Sequence, residues 1–186
     1  AVVEHRDGYV RYRALVLLTG FNDSRTHDVM RDALRSPNDR LRTVAYSYFE
    51  HTPDRSMTDD LIAALDKETA EFVRPALVRA LAALGSDVRV QPVLIREAGR
   101  GEDFFRSAVI EALGDYRAAY AYQRLAALAN LEGPLRDDAI VALGKIGDKR
   151  AMETLALAQR AAPRNEQPSI AAAICPWLGL MAGGTG

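Results

Sequence analysis

LRDDAIVALGKIGDKRA, residues 135–151, is the stretch of sequence that decides the fold, because related stretches recur along the chain. In each of them an arginine directly follows an apolar or aromatic residue. The arginines are separated by 31, 32, 32 and 30 residues, and they are Arg11, Arg42, Arg74, Arg106 and Arg136. A period of this size is typical of a protein built from stacked repeats of one supersecondary unit.

The residues after each arginine predict an amphipathic helix. When the arginine is counted as position zero, apolar residues recur at positions three, four and seven, which is the spacing of one face of an α-helix. In the stretch quoted above these residues are Ala139, Ile140 and Leu143. We call this predicted element the first helix of each repeat.

A second helix is predicted in each repeat by an N-cap and an apolar anchor. Short polar residues that can cap a helix stand at position twelve in four of the five repeats, and they are Asp23, Asp54, Ser86 and Asp148. The anchors at position nineteen are Met30, Leu61, Val93, Leu125 and Leu155. Glycines are predicted to end helices at Gly85, Gly114, Gly144 and Gly147. No segment alternates between apolar and polar residues for long enough to predict a sheet.

Each repeat is therefore predicted to be a helical hairpin, and short loops make its two helices antiparallel neighbours. One hairpin cannot cover its own apolar face, so the hairpins must stack. The predicted fold is all-α, a right-handed α-solenoid (an α-α superhelix) of about five to six stacked hairpins.

Two segments, residues 73–85 and 135–151, resemble HEAT repeats. More narrowly, they are similar to the short HEAT-like repeats of phycobilisome lyases. The resemblance covers about residues 2–175 and implies the armadillo-like architecture predicted above. Repeats of this type occur in scaffolds, in lyase subunits and in many bacterial proteins, so the resemblance implies the fold more strongly than the function.

The repeats predict one domain over residues 1–175, with first helices that start near residues 8, 39, 71, 103, 133 and 167. The glycine-rich residues 176–186 do not follow the repeat and are expected to be disordered or foreign to the native protein. The partial repeats at both ends predict a longer parent solenoid. They also predict self-association through ends that lack a polar cap.

Bulk composition excludes several classes of protein. The net charge is -1, which disfavours a protein dominated by contacts to nucleic-acid phosphates. The single cysteine, Cys175, excludes an internal disulfide and is typical of a reducing compartment. No apolar run reaches the roughly 18 residues that a membrane-spanning helix needs. We therefore expect a cytoplasmic protein that does not enter a membrane.

Sequence motifs for catalysis or metal binding are not found. The three histidines, His5, His27 and His51, lie in different repeats without the spacing of metal ligands. No glycine-rich phosphate loop follows a strand, and no serine or cysteine has the turn motif of a nucleophilic enzyme. The sequence predicts no metal, no cofactor, no catalytic residues and no enzymatic activity.

The five repeated arginines, here called the arginine ladder, suggest either of two roles. They could bind phosphates or acids, or they could join neighbouring repeats. Acidic residues lie near each arginine, at Asp7, Asp39, Glu71, Asp103 and Glu132. In HEAT-like families the corresponding arginine forms hydrogen bonds between repeats, so the resemblance implies the structural role.

A partner is expected on the concave surface of the solenoid. First-helix positions one, five and nine are predicted to point into this groove, and Tyr48 is predicted to join them from position six. The candidate contact residues are Tyr12, Tyr48, His51, Arg79, Glu111 and Asp115. The N-terminal half of the groove is predicted to be aromatic and neutral to basic, and the C-terminal half acidic. Such asymmetry suits a protein or peptide partner with its own charge pattern.

Three functions are compatible with these features. The first hypothesis is a non-catalytic scaffold that binds another protein through the concave surface. The alternative is a bilin lyase-like subunit that handles a chromophore or its acceptor protein. A nucleic-acid-binding solenoid is the weakest of the three, because four acidic residues place negative charge along half of the groove: Glu111, Asp115, Asp137 and Asp138.

Overall fold

The computed structural model describes residues 5–21, 23–165, 167–168, 170–172 and 174. Over these residues the regular structure is helical and no strand is present. The helices are α1 (Gly8–Leu18), α2 (Ser24–Ala33), α3 (Asp39–His51), α4 (Thr58–Lys67), α5 (Arg74–Ala83), α6 (Val90–Glu97), α7 (Asp103–Asp115), α8 (Tyr122–Ala129), α9 (Pro134–Ile146) and α10 (Ala151–Ala161). Single 3₁₀ turns, Arg55–Met57 and Ala119–Ala121, precede α4 and α8. The prediction of an all-α fold without a sheet is confirmed.

Helices of two kinds alternate along the chain. The odd-numbered helices carry the arginine ladder and are the first helices, and the even-numbered ones are the second helices. The chain divides into two compact units, unit 1 (residues 1–90) and unit 2 (residues 91–186). The extent of the predicted domain stays a prediction. Where a sixth first helix is predicted, residues 167–168, 170–172 and 174 are helical, while Cys175 and the predicted tail lie outside the described residues.

In unit 1 the first helices α1, α3 and α5 contact one another in sequence, and α2 and α4 each contact the first helix that follows. The predicted helix face forms the core between them, with Leu15, Tyr46, Phe49 and Leu81 buried. Burial of such side chains is the main favourable term in folding, about 1.5–3 kcal/mol for each one removed from water.

In unit 2 the same arrangement recurs. The first helix α7 contacts α9, and the second helices α8 and α10 contact α9 and each other. Ile110, Leu113, Leu143 and Leu155 are fully buried. The positions that the sequence assigned to the core face are therefore buried in both units, except that Ala14 and Leu18 of α1 are partly exposed.

The third repeat departs from the predicted register by one residue. The side chain of Asp87, and not that of Ser86, accepts the backbone N–H of Arg89 at the start of the second helix. In agreement with this shift, Leu94 is fully buried, whereas the predicted anchor Val93 is partly exposed. One extra residue in the turn after α5 moves the cap and the anchor together.

Two of the four glycines predicted to end helices lie inside them. Gly114 belongs to α7 and Gly144 to α9, and both are buried between helices. Gly147 does end α9 in the left-handed conformation, with φ of 77°. In the turn after α7 the left-handed residue is Arg117, with φ of 48°. Close helix packing therefore explains Gly114 better than turn chemistry does.

Candidate protein-interaction surface

Unit 2 carries a continuous row of solvent-facing positions on the first helices α7 and α9. The spacing of four residues keeps positions one, five and nine of each helix on one side. We call these six residues the acidic surface: Ser107, Glu111 and Asp115 on α7, and Asp137, Val141 and Lys145 on α9.

Two side-chain hydrogen bonds fix the acidic surface at its ends. Ser107 Oγ donates to Asp138 Oδ2 at 2.6 Å near the start of both helices. Lys145 Nζ donates to Asp115 Oδ1 at 2.6 Å near their ends. Since the paired residue numbers rise together, α7 and α9 run parallel, and the residues between the two bonds are held on rigid elements.

Glu111 and Asp137 are the uncompensated charges of the acidic surface. Both side chains are exposed, and neither makes an ion pair within the described ranges of the chain. Val141, on the same side of α9 as Asp137, is also exposed. Because Asp115 is paired with Lys145, the surface keeps about two net negative charges beside an apolar side chain.

The corresponding positions of unit 1 are close to neutral. Tyr12 is partly exposed, and His51 is exposed with its Nδ1 2.8 Å from the Ser47 carbonyl oxygen. Arg79 Nε donates to Glu50 Oε1 at 2.7 Å, so its charge is compensated inside the unit. Of the neutral to basic character that the sequence predicts for these positions, the pairing of Arg79 with Glu50 favours the neutral end of that range.

Tyr48 belongs to the core and not to the surface that the sequence predicted. Its side chain is 4% exposed, and its ring meets Phe49 edge to face with 5.3 Å between the ring centroids. The Tyr48 ring also lies edge to face with His27 of α2, with 6.5 Å between the ring centroids. A contact between Tyr48 and a partner is thus excluded in this conformation.

Arg42 shows what the arginine ladder does in unit 1. Its guanidinium donates to Glu68 through Nε at 2.7 Å and through Nη2 at 2.8 Å. Nη1 donates to the Ser36 carbonyl oxygen at 2.9 Å, and Nη2 also donates to Asp39. One side chain thus links the end of α2, the start of α3 and the end of α4.

The Arg42–Glu68 pair stays ionised although it is largely buried. Burial, the largest single influence, would raise the pKa of Glu68, but the hydrogen bonds from Arg42 and from the Ala70 backbone N–H, together with the charges of Arg42 and Arg74, leave that pKa below its usual value. The hydrogen bonds to Glu68 raise the pKa of Arg42. Burial, with Glu68 nearby, raises the pKa of Tyr46 to about 12, so this neighbour remains a neutral phenol.

Arg106 occupies the same position in unit 2 and makes similar bonds. Its Nη1 donates to Asp103 at 3.0 Å, and its Nε lies 3.5 Å from the Ala98 carbonyl oxygen after α6. The guanidinium again links a first helix to the end of the second helix before it. Arg11, Arg74 and Arg136 are likewise partly buried. The role of the whole ladder stays a prediction, which these two residues support.

Comparison with known families agrees with this geometry. A family model described as HEAT repeats matches residues 1–82, and a model of the PBS lyase HEAT-like repeat matches residues 135–161. The chain is a HEAT-repeat protein. The predicted HEAT-type α-solenoid fold is confirmed, and the second match coincides with the α9–α10 hairpin. No curated protein matches the chain.

HEAT repeats generally act in protein interaction and without catalysis, which is the function class that the matches support. Among the described residues, no group of three or more His, Cys, Asp and Glu side chains is placed to hold a metal ion. In the same part of the chain, no helix is both long enough and apolar enough to span a membrane. The cytoplasmic location stays a prediction.

The sequence analysis of this HEAT-repeat protein missed a set of exposed aromatic residues. They stand two positions before a ladder arginine, at the first-helix starts, and they are Tyr9, Phe72 and Phe104. For α5 and α7 the residue one position before the arginine, Val73 or Phe105, is buried. The aromatic residue before it therefore points about 100° away from the core. Their recurrence at one position of the repeat is the signal that could have found them.

Proposed function

We propose that this HEAT-repeat protein is a non-catalytic scaffold whose acidic surface in unit 2 holds a basic segment of a partner protein. The observation that carries the proposal is the pair of uncompensated carboxylates, Glu111 and Asp137, beside the exposed Val141. Lysine or arginine side chains of a partner would compensate these charges, and an apolar partner residue would cover Val141. Tyr12 and His51 are proposed as partner contacts of a separate surface within unit 1.

Charge complementarity at a solvent-exposed surface acts mainly on specificity and on the rate of association. The proposed partner segment is therefore basic with at least one apolar residue, and its binding weakens as salt screens the charges. The hydrogen bond Ser107–Asp138 supports this proposal because it preorganises the helices that present the carboxylates. Preorganisation lowers the cost of binding.

A peptide selection tests the proposal. The parent chain and the double variant Glu111→Gln/Asp137→Asn are each used to select from a library of random displayed peptides. The matched control is Glu132→Gln/Glu153→Gln, which removes two exposed carboxylates elsewhere in unit 2. We expect the parent and the control to enrich peptides with lysine or arginine next to an apolar residue, and the double variant to lose that enrichment. Equal enrichment by both variants would exclude the acidic surface as the site.

The alternative function, a bilin lyase-like subunit, is favoured by the match of residues 135–161 to the PBS lyase HEAT-like repeat. It predicts that the chain binds a linear tetrapyrrole. Mixing the protein with a bilin should then shift and sharpen the visible absorbance of the pigment. If the bilin spectrum does not change when the protein is in excess, this alternative is contradicted. That result would not bear on the scaffold proposal.

A further inference from the structure

A cavity of about 400 Å³ lies between the second helices α2 and α4 of unit 1. Arg42 and Tyr46 of α3 line it, together with residues of α2, of α4 and of the segments that follow these two helices. A volume in this range can hold a small organic molecule. We call this space the α2–α4 cavity.

Unit 2 has a cavity at the corresponding place of its repeats. It has about 350 Å³ and is lined by the end of α8, by Arg136 of α9 and by the end of α10. Its charged lining residues within the described part of the chain are Glu132 and Arg136, one of each sign. Because Arg136 and Arg42 are equivalent ladder residues, a space at this place belongs to the repeat itself. What distinguishes the α2–α4 cavity is the chemistry of its lining.

The lining of the α2–α4 cavity is cationic. Asp60 is the one uncompensated acid among its described lining residues, since Glu68 is paired with Arg42. Three further lining residues are cations, and they are Arg31, Arg35 and Lys67. The cavity therefore carries a net positive charge, whereas the cavity of unit 2 carries none.

The three cations are only weakly compensated by the protein. Arg31 and Arg35 lie 3.8 Å and 4.0 Å from the carboxylates of Asp28 and Asp32, one turn before them. Lys67 makes no ion pair with the residues that the structure describes. Arg31 Nε is buried without a hydrogen-bond partner there. Long, exposed ion pairs contribute little, so these side chains can turn to another anion.

Tyr46 brings a hydroxyl group to a core position that is aliphatic in the other repeats. The other residues at position four are Leu15, Val78, Ile110 and Ile140. The side chain of Tyr46 is 1% exposed, and its hydroxyl makes no hydrogen bond within the described ranges of the chain. A buried hydroxyl without a partner costs free energy. This hydroxyl is therefore a donor that a ligand in the cavity could satisfy.

The hydroxyl of Tyr46 lies toward the cavity. The charges of Glu68 and Arg42 both act on its pKa, and these two residues line the cavity as well. The phenol stays neutral, as described above, and so keeps its proton for a hydrogen bond. A carboxylate or phosphate oxygen is the strongest acceptor for such a donor.

We propose that the α2–α4 cavity binds a small organic anion, a molecule with a carboxylate or phosphate group on an apolar body. Arg31, Arg35 and Lys67 hold the anionic group, and the Tyr46 hydroxyl donates a hydrogen bond to it. The site lies within unit 1, so this proposal stands independently of the acidic surface of unit 2.

Apolar side chains of the cavity define the body of the ligand. Met57 is buried, Leu34 and Ala64 are partly exposed, and all three line the cavity. An inorganic anion alone would leave this apolar lining uncovered. An organic body of one or two rings covers it and fits the volume.

Nuclear magnetic resonance of the ¹⁵N-labelled chain tests the proposal with three probes. These are 2-naphthoate, 2-naphthyl phosphate and the neutral 2-naphthamide, which share one apolar body. We expect at least one of the two anions to shift the amide signals of α2 and α4 and to bind at least about 10-fold more tightly than the amide, because the cations act on the charged group alone. Absence of binding by both anions, or equal binding by the amide, would overturn the proposal.

Charge variants locate the site. Arg35→Gln/Lys67→Gln removes two exposed cations of the lining, and the matched control Arg25→Gln/Arg40→Gln removes two exposed cations of unit 1 outside it. We expect the first variant to bind the tighter anion about 10-fold more weakly and the control to bind it as the parent does. Equal weakening in both variants would overturn the proposal, because the anion would then respond to net charge alone.

Tyr46→Phe separates a ligand-binding hydroxyl from a structural one. We expect it to weaken binding by about 3- to 10-fold, the value of one hydrogen bond, and to leave the denaturant midpoint equal to or above that of the parent. Parent-like affinity, or a lower midpoint, would overturn the proposal.

Asp60→Asn tests the sign of the ligand charge. It removes the uncompensated acid of the lining, so binding of the anion should tighten by about two- to fivefold. Weaker binding would overturn the proposal, because the ligand would then need a carboxylate in the site.

Discussion

Gly114 on α7 stands so close to Ala142 on α9 that a β-carbon on Gly114 would lie 2.8 Å from the Ala142 α-carbon. The obstructing atom belongs to the backbone and cannot rotate away, so the two helices would have to separate. We expect Gly114→Ala to lower the free energy of unfolding by about 1–3 kcal/mol through overpacking. This loss should exceed the roughly 1 kcal/mol that alanine gains over glycine inside a helix.

Gly8→Ala is the matched control for this prediction. It is the same substitution at the start of α1, where the nearest atom to the added carbon is Asn38 Nδ2 at 3.6 Å. Denaturant unfolding of both variants measures the difference. If Gly114→Ala is as stable as the parent, the close approach of α7 to α9 is not a constraint on the fold.

The Arg42–Glu68 pair predicts a dependence of stability on pH. Since the pKa of Glu68 is lowered from 4.5 in the folded state, the unfolded chain binds the proton more readily. The stability that the pair contributes is therefore complete above the unfolded-state pKa and is lost as the pH falls through the lower folded-state value.

We expect Glu68→Gln to reduce the fall in the free energy of unfolding between about pH 5 and pH 3, whatever its effect at neutral pH. Asp54, Asp87 and Asp148 also have lowered pKa values, so the difference between variant and parent is the quantity to measure. Glu153→Gln, at an exposed site in α10, controls for the loss of one carboxyl. Parallel pH profiles for parent and Glu68→Gln would contradict the prediction.

The sequence predicts the helical hairpins well because the same pattern, an arginine followed by apolar residues at helical spacing, occurs in each repeat. One arginine followed by an apolar helix face is a weak signal. Because the same pattern recurs five times at nearly equal intervals, it correctly places Tyr46, Ile110 and Ile140 in the core. A prediction from the repeat period is wrong where one repeat has an extra residue. In the third repeat the extra residue in the turn makes Asp87, and not Ser86, the N-cap.

The candidate surface is less predictable than the fold, because exposure depends on how neighbouring helices stack. Position six is buried in α3, α5, α7 and α9, and the sequence pattern does not reveal this for Tyr48. Charge compensation is equally hidden, since Arg79 meets Glu50 from 29 residues away. Glu111 and Asp115 look alike in sequence, yet Asp115 pairs with Lys145 and Glu111 makes no ion pair among the described residues.

Leu81 and Leu113 provide a test of the core register in each unit. Both side chains are fully buried, and each occupies position seven of its first helix. We expect Leu81→Ala and Leu113→Ala each to lower the free energy of unfolding by about 2–5 kcal/mol through the cavity left behind. Because repeats interact with their neighbours, hydrogen exchange should rise first in the unit that carries the substitution. Variants that melt like the parent would show that these positions are not core.

Lys145 is the only cation of the acidic surface. Its removal should strengthen the binding of basic peptides, whereas the loss of a contact residue would weaken it. Lys145→Gln removes one positive charge beside Asp115 and so raises the negative charge of the surface. We expect basic peptides selected with the parent to bind the variant more tightly, by about two- to fivefold at low salt, with the gain lost as salt is added. Stability should change by no more than about 1 kcal/mol, as for other exposed ion pairs.

Lys149→Gln is the matched control, because it removes one exposed lysine from the turn between α9 and α10 and changes the net charge equally. Fluorescence anisotropy with a labelled peptide from the selection measures both affinities. A gain seen with Lys145→Gln alone ties binding to the acidic surface. A gain of equal size in both variants would mean that the peptide responds to net charge, and the assignment of the partner segment to Glu111 and Asp137 would then fail.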